Sequence, residues 1–233
     1  MIIIPDVHGR TFWKDSVNDS DQIVFLGDYL DPYPGEGIKL EDTLENFKKI
    51  IEYKKSNPSR VILLLGNHDF MYIHDKHIRM ACRHDFTNEP QITSLFYDNR
   101  DLFQMSYKID YNNKTVVFSH AGIMPEWIEN HKDIFGENSG IKEVSDISNK
   151  LYSDSNEKFI RSLLDYSLFR GGIKAFGSMI WSDVRERFEY LLEPENEVFQ
   201  IFGHTQLKDK PLKYPNFACI DCRRSFTLDE ILC

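Results

Sequence analysis

A chain of 233 residues that is 41% hydrophobic can bury an ordinary-sized core, which excludes wholesale disorder. No apolar run approaches the roughly 20 residues of a membrane-spanning helix, and Met1–Ile4 reaches Asp6 too soon for a signal peptide. The net charge of -9, from 37 acidic and 28 basic side chains, excludes broad nucleic-acid or anionic-membrane binding.

Taken in chain order, short apolar runs stop repeatedly at clusters of ligand-type residues. Ile2–Ile4 leads to Asp6, Val7, His8 and Gly9, and Ile23–Leu26 leads to Gly27, Asp28 and Asp31. Between this run and the next, Leu40, Leu44, Phe47 and Ile51 predict a helix over Leu40–Ser56. Val61–Leu65 then leads to Gly66, Asn67, His68 and Asp69, and Val116–Phe118 to Ser119, His120, Ala121 and Gly122. From about 124 to 197 the regularity lapses into a largely helical insertion. It has a loop at Gly136–Gly140 and a helix over Lys158–Leu168, with Phe159, Ile160, Leu163, Leu164 and Leu168 on one face. Val198–Phe202 leads to Gly203, His204 and Thr205, and Phe217–Asp221 closes as a short strand.

Apolar runs of three to five residues bounded by glycine read as strands covered on both faces. Their alternation with a helix predicts an α/β fold. Functional groups in such sheets collect beyond the carboxyl ends of the strands, so one cleft is expected to hold all five clusters. We read residues 1–233 as a single domain.

The clusters supply Asp6, His8, Asp28, Asn67, His120 and His204. Carboxylate, imidazole and amide oxygen together suit divalent Mn, Fe or Zn rather than a thiolate site. Six ligands exceed what one catalytic ion with open positions needs. They suit two ions about 3.5–4 Å apart across a shared carboxylate.

These five motifs, in this order from residue 6 to residue 204, resemble the calcineurin-like metallophosphoesterase superfamily. The resemblance implies a two-sheet sandwich in α-β-β-α layers. It further implies Asp6 and His8 on the first ion, Asp28 bridging, and Asn67, His120 and His204 on the second. Many members end on Gly-His-x-His, and here the second His is Gln206. With Trp181-Ser182-Asp183 and Phe217–Asp221, that places the chain nearest the serine/threonine phosphatase branch and its bacterial diadenosine tetraphosphatase relatives. One departure stands out. That branch continues from its second-motif Asp into Arg-Gly, whose Arg grips phosphate, whereas Asp31 here runs into Pro32, Tyr33 and Pro34. Arg10, Arg185 and Arg187 are candidate substitutes, with Arg170 a further one.

The expected enzyme is a metal-dependent phosphatase in which a metal-bridging hydroxide attacks a phosphomonoester or phosphoanhydride. His68, next to Asn67, is the expected general acid, and Asp31 orients it. Alternatives are a phosphoprotein phosphatase, a diadenosine-polyphosphate hydrolase, and a non-catalytic metal-binding scaffold. The expected partner is a small phosphorylated substrate or a phosphoprotein, and two divalent ions would supply the attraction that the acidic surface lacks. Cys219 and Cys222 lack the second pair a zinc site needs, and with Cys82 and Cys233 they suit a reduced, cytoplasmic protein. His74, His77 and His84 are read as solvated helix surface, with lining the substrate entrance as the alternative, and His131 has no supporting neighbours. Asp69 is read as a helix-start carboxylate. Tyr29, Tyr33, Phe70 and Tyr72 flank the motifs, where they either pack or stack on a base.

Overall fold

The structure, a computed structural model, describes residues 1–74, 83–186 and 198–233. Its elements begin with β1 (Ile2–Ile4), β2 (Ile23–Phe25), α1 (Leu40–Ser56), β3 (Val61–Leu64) and α2 (Asn67–Ile73). There follow α3 (Glu89–Asp98), β4 (Phe103–Gln104), β5 (Ser106–Tyr111), β6 (Lys114–Ser119), α4 (Pro125–Asn130) and α5 (Lys132–Phe135). The remainder comprises α6 (Ile141–Ser153), α7 (Glu157–Ser162), β7 (Val198–Phe202), β8 (Leu212–Lys213), β9 (Phe217–Cys219), β10 (Phe226–Thr227) and α8 (Leu228–Leu232). This is an α/β fold of two mixed five-stranded sheets with helices, divided into two compact units.

The first unit comprises Met1–Phe103 and Arg223–Cys233. Its sheet has the order β10-β1-β2-β3-β4, with β1, β2 and β3 parallel and β10 antiparallel to β1. Every residue of β1 and β2 is buried, as their unbroken apolar sequence requires of strands covered on both faces. Helix α1 spans the predicted residues and buries Leu44, Phe47, Ile50 and Ile51, while Leu40 at its start is exposed. Phe47 is the hub of this core, with ring contacts to Tyr29 (5.3 Å), Phe96 (4.8 Å) and Phe103 (6.2 Å).

The second unit is Gln104–Cys222, with strand order β5-β6-β7-β9-β8. Strands β6, β7 and β9 are parallel, and β5 and β8 are antiparallel to their neighbours. The β5–β6 hairpin turns on Asn112 and Asn113, whose φ values of 47° and 63° match the right-handed twist of the strands. Helix α6 is fastened to the start of β5 by Asn149. Its Oδ1 accepts the Met105 and Ser106 N–H groups at 2.8 and 3.1 Å, and its Nδ2 donates to Ser106 O at 2.9 Å.

Helices α4–α7 occupy part of the region read as a helical insertion, and residues 187–197 of that region lie outside the described residues. The helix predicted over Lys158–Leu168 is shorter than expected: α7 ends at Ser162. Beyond it, local groups draw the backbone away from helical pairing. Asp165 O accepts Ser178 N–H at 2.8 Å. Buried Glu186 accepts from Ser167 Oγ (2.5 Å), Gly177 N (2.8 Å) and Asp183 N (2.8 Å). Among the described residues, no helix is long and apolar enough to cross a membrane.

Candidate functional site

Within the first unit, the motif residues stand just beyond the carboxyl ends of β1, β2 and β3. The chain turns there through left-handed backbone: φ is 44° at His8, 51° at Asp28 and 58° at Asp31. Residues with a Cβ avoid this region, at a cost of about 1 kcal/mol or more each. The turns are nevertheless held, because His8 N and Val7 N both donate to Asp28 O, at 2.7 and 3.1 Å. Asp69, in the first turn of α2, ties the next loop in as well. Its carboxylate accepts N–H groups from Asp28 (2.7 Å), Tyr29 (3.0 Å) and Gly66 (2.9 Å), so it is more than a helix-start charge. Gly66 is required by proximity: a Cβ there would lie 2.1 Å from Asp28 Oδ1.

His8, Asp28 and His68 each present a ligand atom within 4.8 Å of the others, and all three are buried. Nδ1 of His8 pairs with Leu30 O at 2.8 Å, which places its proton there and leaves the Nε2 lone pair facing Asp28 Oδ2 (3.6 Å) and Asp6 Oδ2 (4.0 Å). Burial, with the charges of His68, Arg83 and Arg10, lowers His8 well below its ordinary pKa and keeps it a neutral donor. Burial, together with the charges of Asp6, Asp69 and Asp31, pushes Asp28 well above the carboxylate range. A cation among these groups would remove that penalty, so the donor set fits a divalent ion. Asn67 is buried at the start of α2.

Beside this cluster, His68 Nδ1 lies 2.7 Å from Asp31 Oδ2, and Tyr72 OH donates to Asp31 Oδ1. Burial raises the Asp31 carboxyl to about 7, against the opposing pull of Tyr72, His84 and Arg83. Arg83 donates from Nε and Nη2 to the Asp31 carbonyl, both at 3.3 Å, and lies 3.8 Å over the Tyr33 ring. Tyr33 in turn meets His8 edge-on at 5.0 Å.

In the second unit, His120 follows β6 and His204 follows β7, with His120 Nε2 3.1 Å from His204 Nδ1. His204 is also left-handed, at φ 63°. Arg170 donates to His204 O at 3.3 Å and Thr205 Oγ1 at 2.8 Å, and its Nε pairs with Asp183 at 2.8 Å. Arg185 forks onto the same Asp183 carboxylate at 2.7 and 3.0 Å. Burial works against the Asp183 charge, but hydrogen bonds from Arg185 and the charge of Arg170 hold its pKa below the ordinary value.

The sequence profile described as calcineurin-like phosphoesterase matches residues 3–207, most of the chain. The chain belongs to the calcineurin-like phosphoesterase family. No curated protein matched the sequence. Among solved structures, the chain is similar to a protein serine/threonine phosphatase of Saccharomyces cerevisiae described as similar to human phosphatase PP5. That match has a TM-score of 0.54 and 13% identity and covers 94% of this chain. A second match is the phosphatase domain of the Legionella effector WipB, with a TM-score of 0.43 and 16% identity over 66% of this chain. The chain spans 65% and 60% of those two chains. The first likeness agrees with the phosphoesterase fold of two mixed sheets.

In this phosphoesterase the first unit contains Asp6, His8, Arg10, Asp28, Asp31, Asn67 and His68, and brings His8, Asp28 and His68 together. The second contains His120, His204 and Arg185, while Arg187, like His77 and Cys82, lies outside the described residues. Two of the candidate phosphate-binding arginines are already occupied. Arg10 forks onto Glu36 at 2.7 and 2.8 Å, and Arg185 is bound to Asp183. Sequence reasoning missed Arg83, which has no ion pair with a carboxylate among the described residues. No motif spacing points to it, because it reaches Asp31 across 52 positions. Of the four flanking aromatics, Tyr29, Phe70 and Tyr72 are buried, and Tyr33 is the one partly exposed. His84 is not on the surface but buried 3.4 Å from Glu89, and His131 has a neighbour after all, pairing with Asp165 at 2.7 Å. Cys219 and Cys222 are free thiols, both buried.

Proposed function

We propose that this phosphoesterase is a metal-dependent hydrolase of phosphomonoesters or phosphoanhydrides, with Asp6, His8 and Asp28 serving one divalent ion and Asn67, His120 and His204, with Asp28 shared, serving a second. The observation that carries the reading is a buried His8–Asp28–His68 cluster whose His68 is itself paired with Asp31. Divalent ions bound there would activate water at neutral pH and offset charge on phosphate oxygens. Manganese, iron and zinc all suit the donor set, and a single domain over residues 1–233 accommodates the five motifs.

The remaining steps belong to the chain's own groups. His68 holds its Nδ1 against Asp31, so Nε2 is the nitrogen that delivers a proton to the leaving oxygen. Buried Asp31 fixes the ring's orientation. Arg83 rather than Arg10 or Arg185 meets a phosphoryl oxygen, because among the described residues its guanidinium has no ion pair with a carboxylate, whereas theirs do. The aromatic-flanked Asp31–Tyr33 loop, with Tyr33 partly exposed, favours a small nucleotide-like substrate over a phosphoprotein. A cytoplasmic location suits the free thiols.

The test is a panel of p-nitrophenyl phosphate, its bis-ester, diadenosine tetraphosphate and a phosphopeptide, each with Mn, Ni, Co or Zn supplied. Turnover of at least one substrate under one metal is expected, with diadenosine tetraphosphate ahead of the phosphopeptide. Inertness toward all four would replace the enzyme with a metal-binding scaffold.

A further inference from the structure

Helix α2 grips both oxygens of a single carboxylate. His68 and Tyr72 are four residues apart, so their side chains rise from one face of the helix. His68 Nδ1 takes Asp31 Oδ2 at 2.7 Å, and Tyr72 OH donates to Asp31 Oδ1. The phenol oxygen accepts Asp85 N–H at 2.8 Å, so it is fixed from the far side as well. The Tyr72 ring stacks on His84 at 4.0 Å and 24°, and Thr93 Oγ1 donates to Tyr72 O at 3.0 Å, fastening this helix to α3. Tyr72 and Asp31 are each 1% exposed, so no bulk water replaces any of these bonds.

We propose that Tyr72 is a positioning residue for proton delivery: it locks the rotation of the Asp31 carboxylate and, through Asp31, the ring of His68. The proposal rests on the reading of His68 as general acid. A carboxylate turns about its last torsion across a broad, weakly restrained range. In the buried pocket, the hydroxyl of Tyr72 is the side-chain donor that restrains Oδ1. Burial beside Asp31 keeps the phenol protonated, so it donates throughout the working range. Neither substrate nor ions need to touch Tyr72 for this role.

The leaving group separates positioning from a merely structural role. An ester whose leaving oxygen is a weak base needs little proton delivery, whereas phenyl phosphate needs it fully. Tyr72→Phe in the metal-loaded full chain should lower kcat on phenyl phosphate by ~10-fold and on p-nitrophenyl phosphate by under ~3-fold, with KM within about twofold. Metal content should stay at the wild-type value, and the downfield Nδ1 proton resonance of His68 should shift or broaden. In an Asp31→Ala background, Tyr72→Phe should add no further leaving-group dependence. Equal loss on both esters, or no loss on either, overturns the proposal. His68→Ala is measured alongside. If it too ignores the leaving group, the general-acid reading has failed; if it discriminates and Tyr72→Phe does not, the positioning role has failed. Should Tyr72→Phe not fold, 3-fluorotyrosine at position 72 alters donor strength without removing the donor. An unchanged leaving-group slope would then count against the role.

Discussion

Oδ1 of Asp28 accepts the backbone N–H of His68 at 3.0 Å. That bond orients whatever side chain occupies position 28. In Asp28→Asn the amide oxygen would keep the His68 N–H, turning the amide nitrogen toward His8 Nε2, where Asp28 now presents an oxygen at 3.6 Å. A donor group cannot ligate a cation, so Asp28→Asn should lose bound metal while the fold persists. Elemental analysis after exhaustive dialysis checks this, and wild-type metal content would exclude a ligand role for Asp28.

His68 is expected to matter to turnover and not to metal retention. His68→Ala should reduce kcat by ~10²–10⁴-fold, the usual worth of a positioned proton donor. Parallel loss of metal would instead place His68 among the ligands, as its proximity to His8 and Asp28 also permits.

Arg83→Ala should raise KM about tenfold or more and weaken competitive inhibition by inorganic phosphate to match, since charge-assisted bonds to phosphate contribute on the order of 1.5–3 kcal/mol. Arg83→Lys retains the charge but not the two-pronged donor, and should recover only part of the effect. An unchanged phosphate inhibition constant in Arg83→Ala would assign the clamp to another group.

His74, the residue that caps the end of α2, supplies a pH prediction. It is packed against Phe70 at 4.7 Å, and burial, with the charge of Arg100, lowers it to about 4. In the unfolded chain it titrates near ~6.5, so between these values the unfolded state binds the extra proton. The stability that neutral His74 contributes is therefore complete above pH ~6.5 and lost as pH falls toward 4, a change on the order of 2 kcal/mol. His74→Gln should flatten the fall in Tm between about pH 7 and pH 4.5 by a few degrees. Superimposable pH profiles for the two proteins would show that His74 is not the responsible group.

Much of this architecture was legible because local rules and tertiary need agreed. Ile2–Ile4 and Ile23–Phe25 are apolar without alternation, as suits strands covered on both faces. The helix Leu40–Ser56 carried its own period. By contrast, β5 reads Ser-Tyr-Lys-Ile-Asp-Tyr, a half-polar strand whose signal lies in its Asn112-Asn113 turn rather than its hydrophobicity. The overextended helix after Lys158 shows the opposite failure. Leu163, Leu164 and Leu168 keep helical spacing, yet Glu186, a distant buried acid, claims the groups around Ser167 and Gly177. The proposed ligand residues were visible as motifs, whereas Arg83 was not, and Tyr72 was visible only as a flanking aromatic. Their value depends on which atoms of Asp31 they reach, and nothing in a linear pattern encodes that.

His8, Asp28, Asp31 and His204 all hold left-handed backbone that glycine would occupy without penalty. Each therefore stores about 1 kcal/mol or more of backbone strain that its buried side chain has to offset. Asp28 does so by accepting the His68 N–H, and Asp31 by holding Tyr72 and His68, so glycine at either position would relieve the strain and leave buried donors unpaired. The strain is a local cost that the surrounding bonds already cover. An engineering campaign on this protein should hold them fixed and look for stability elsewhere.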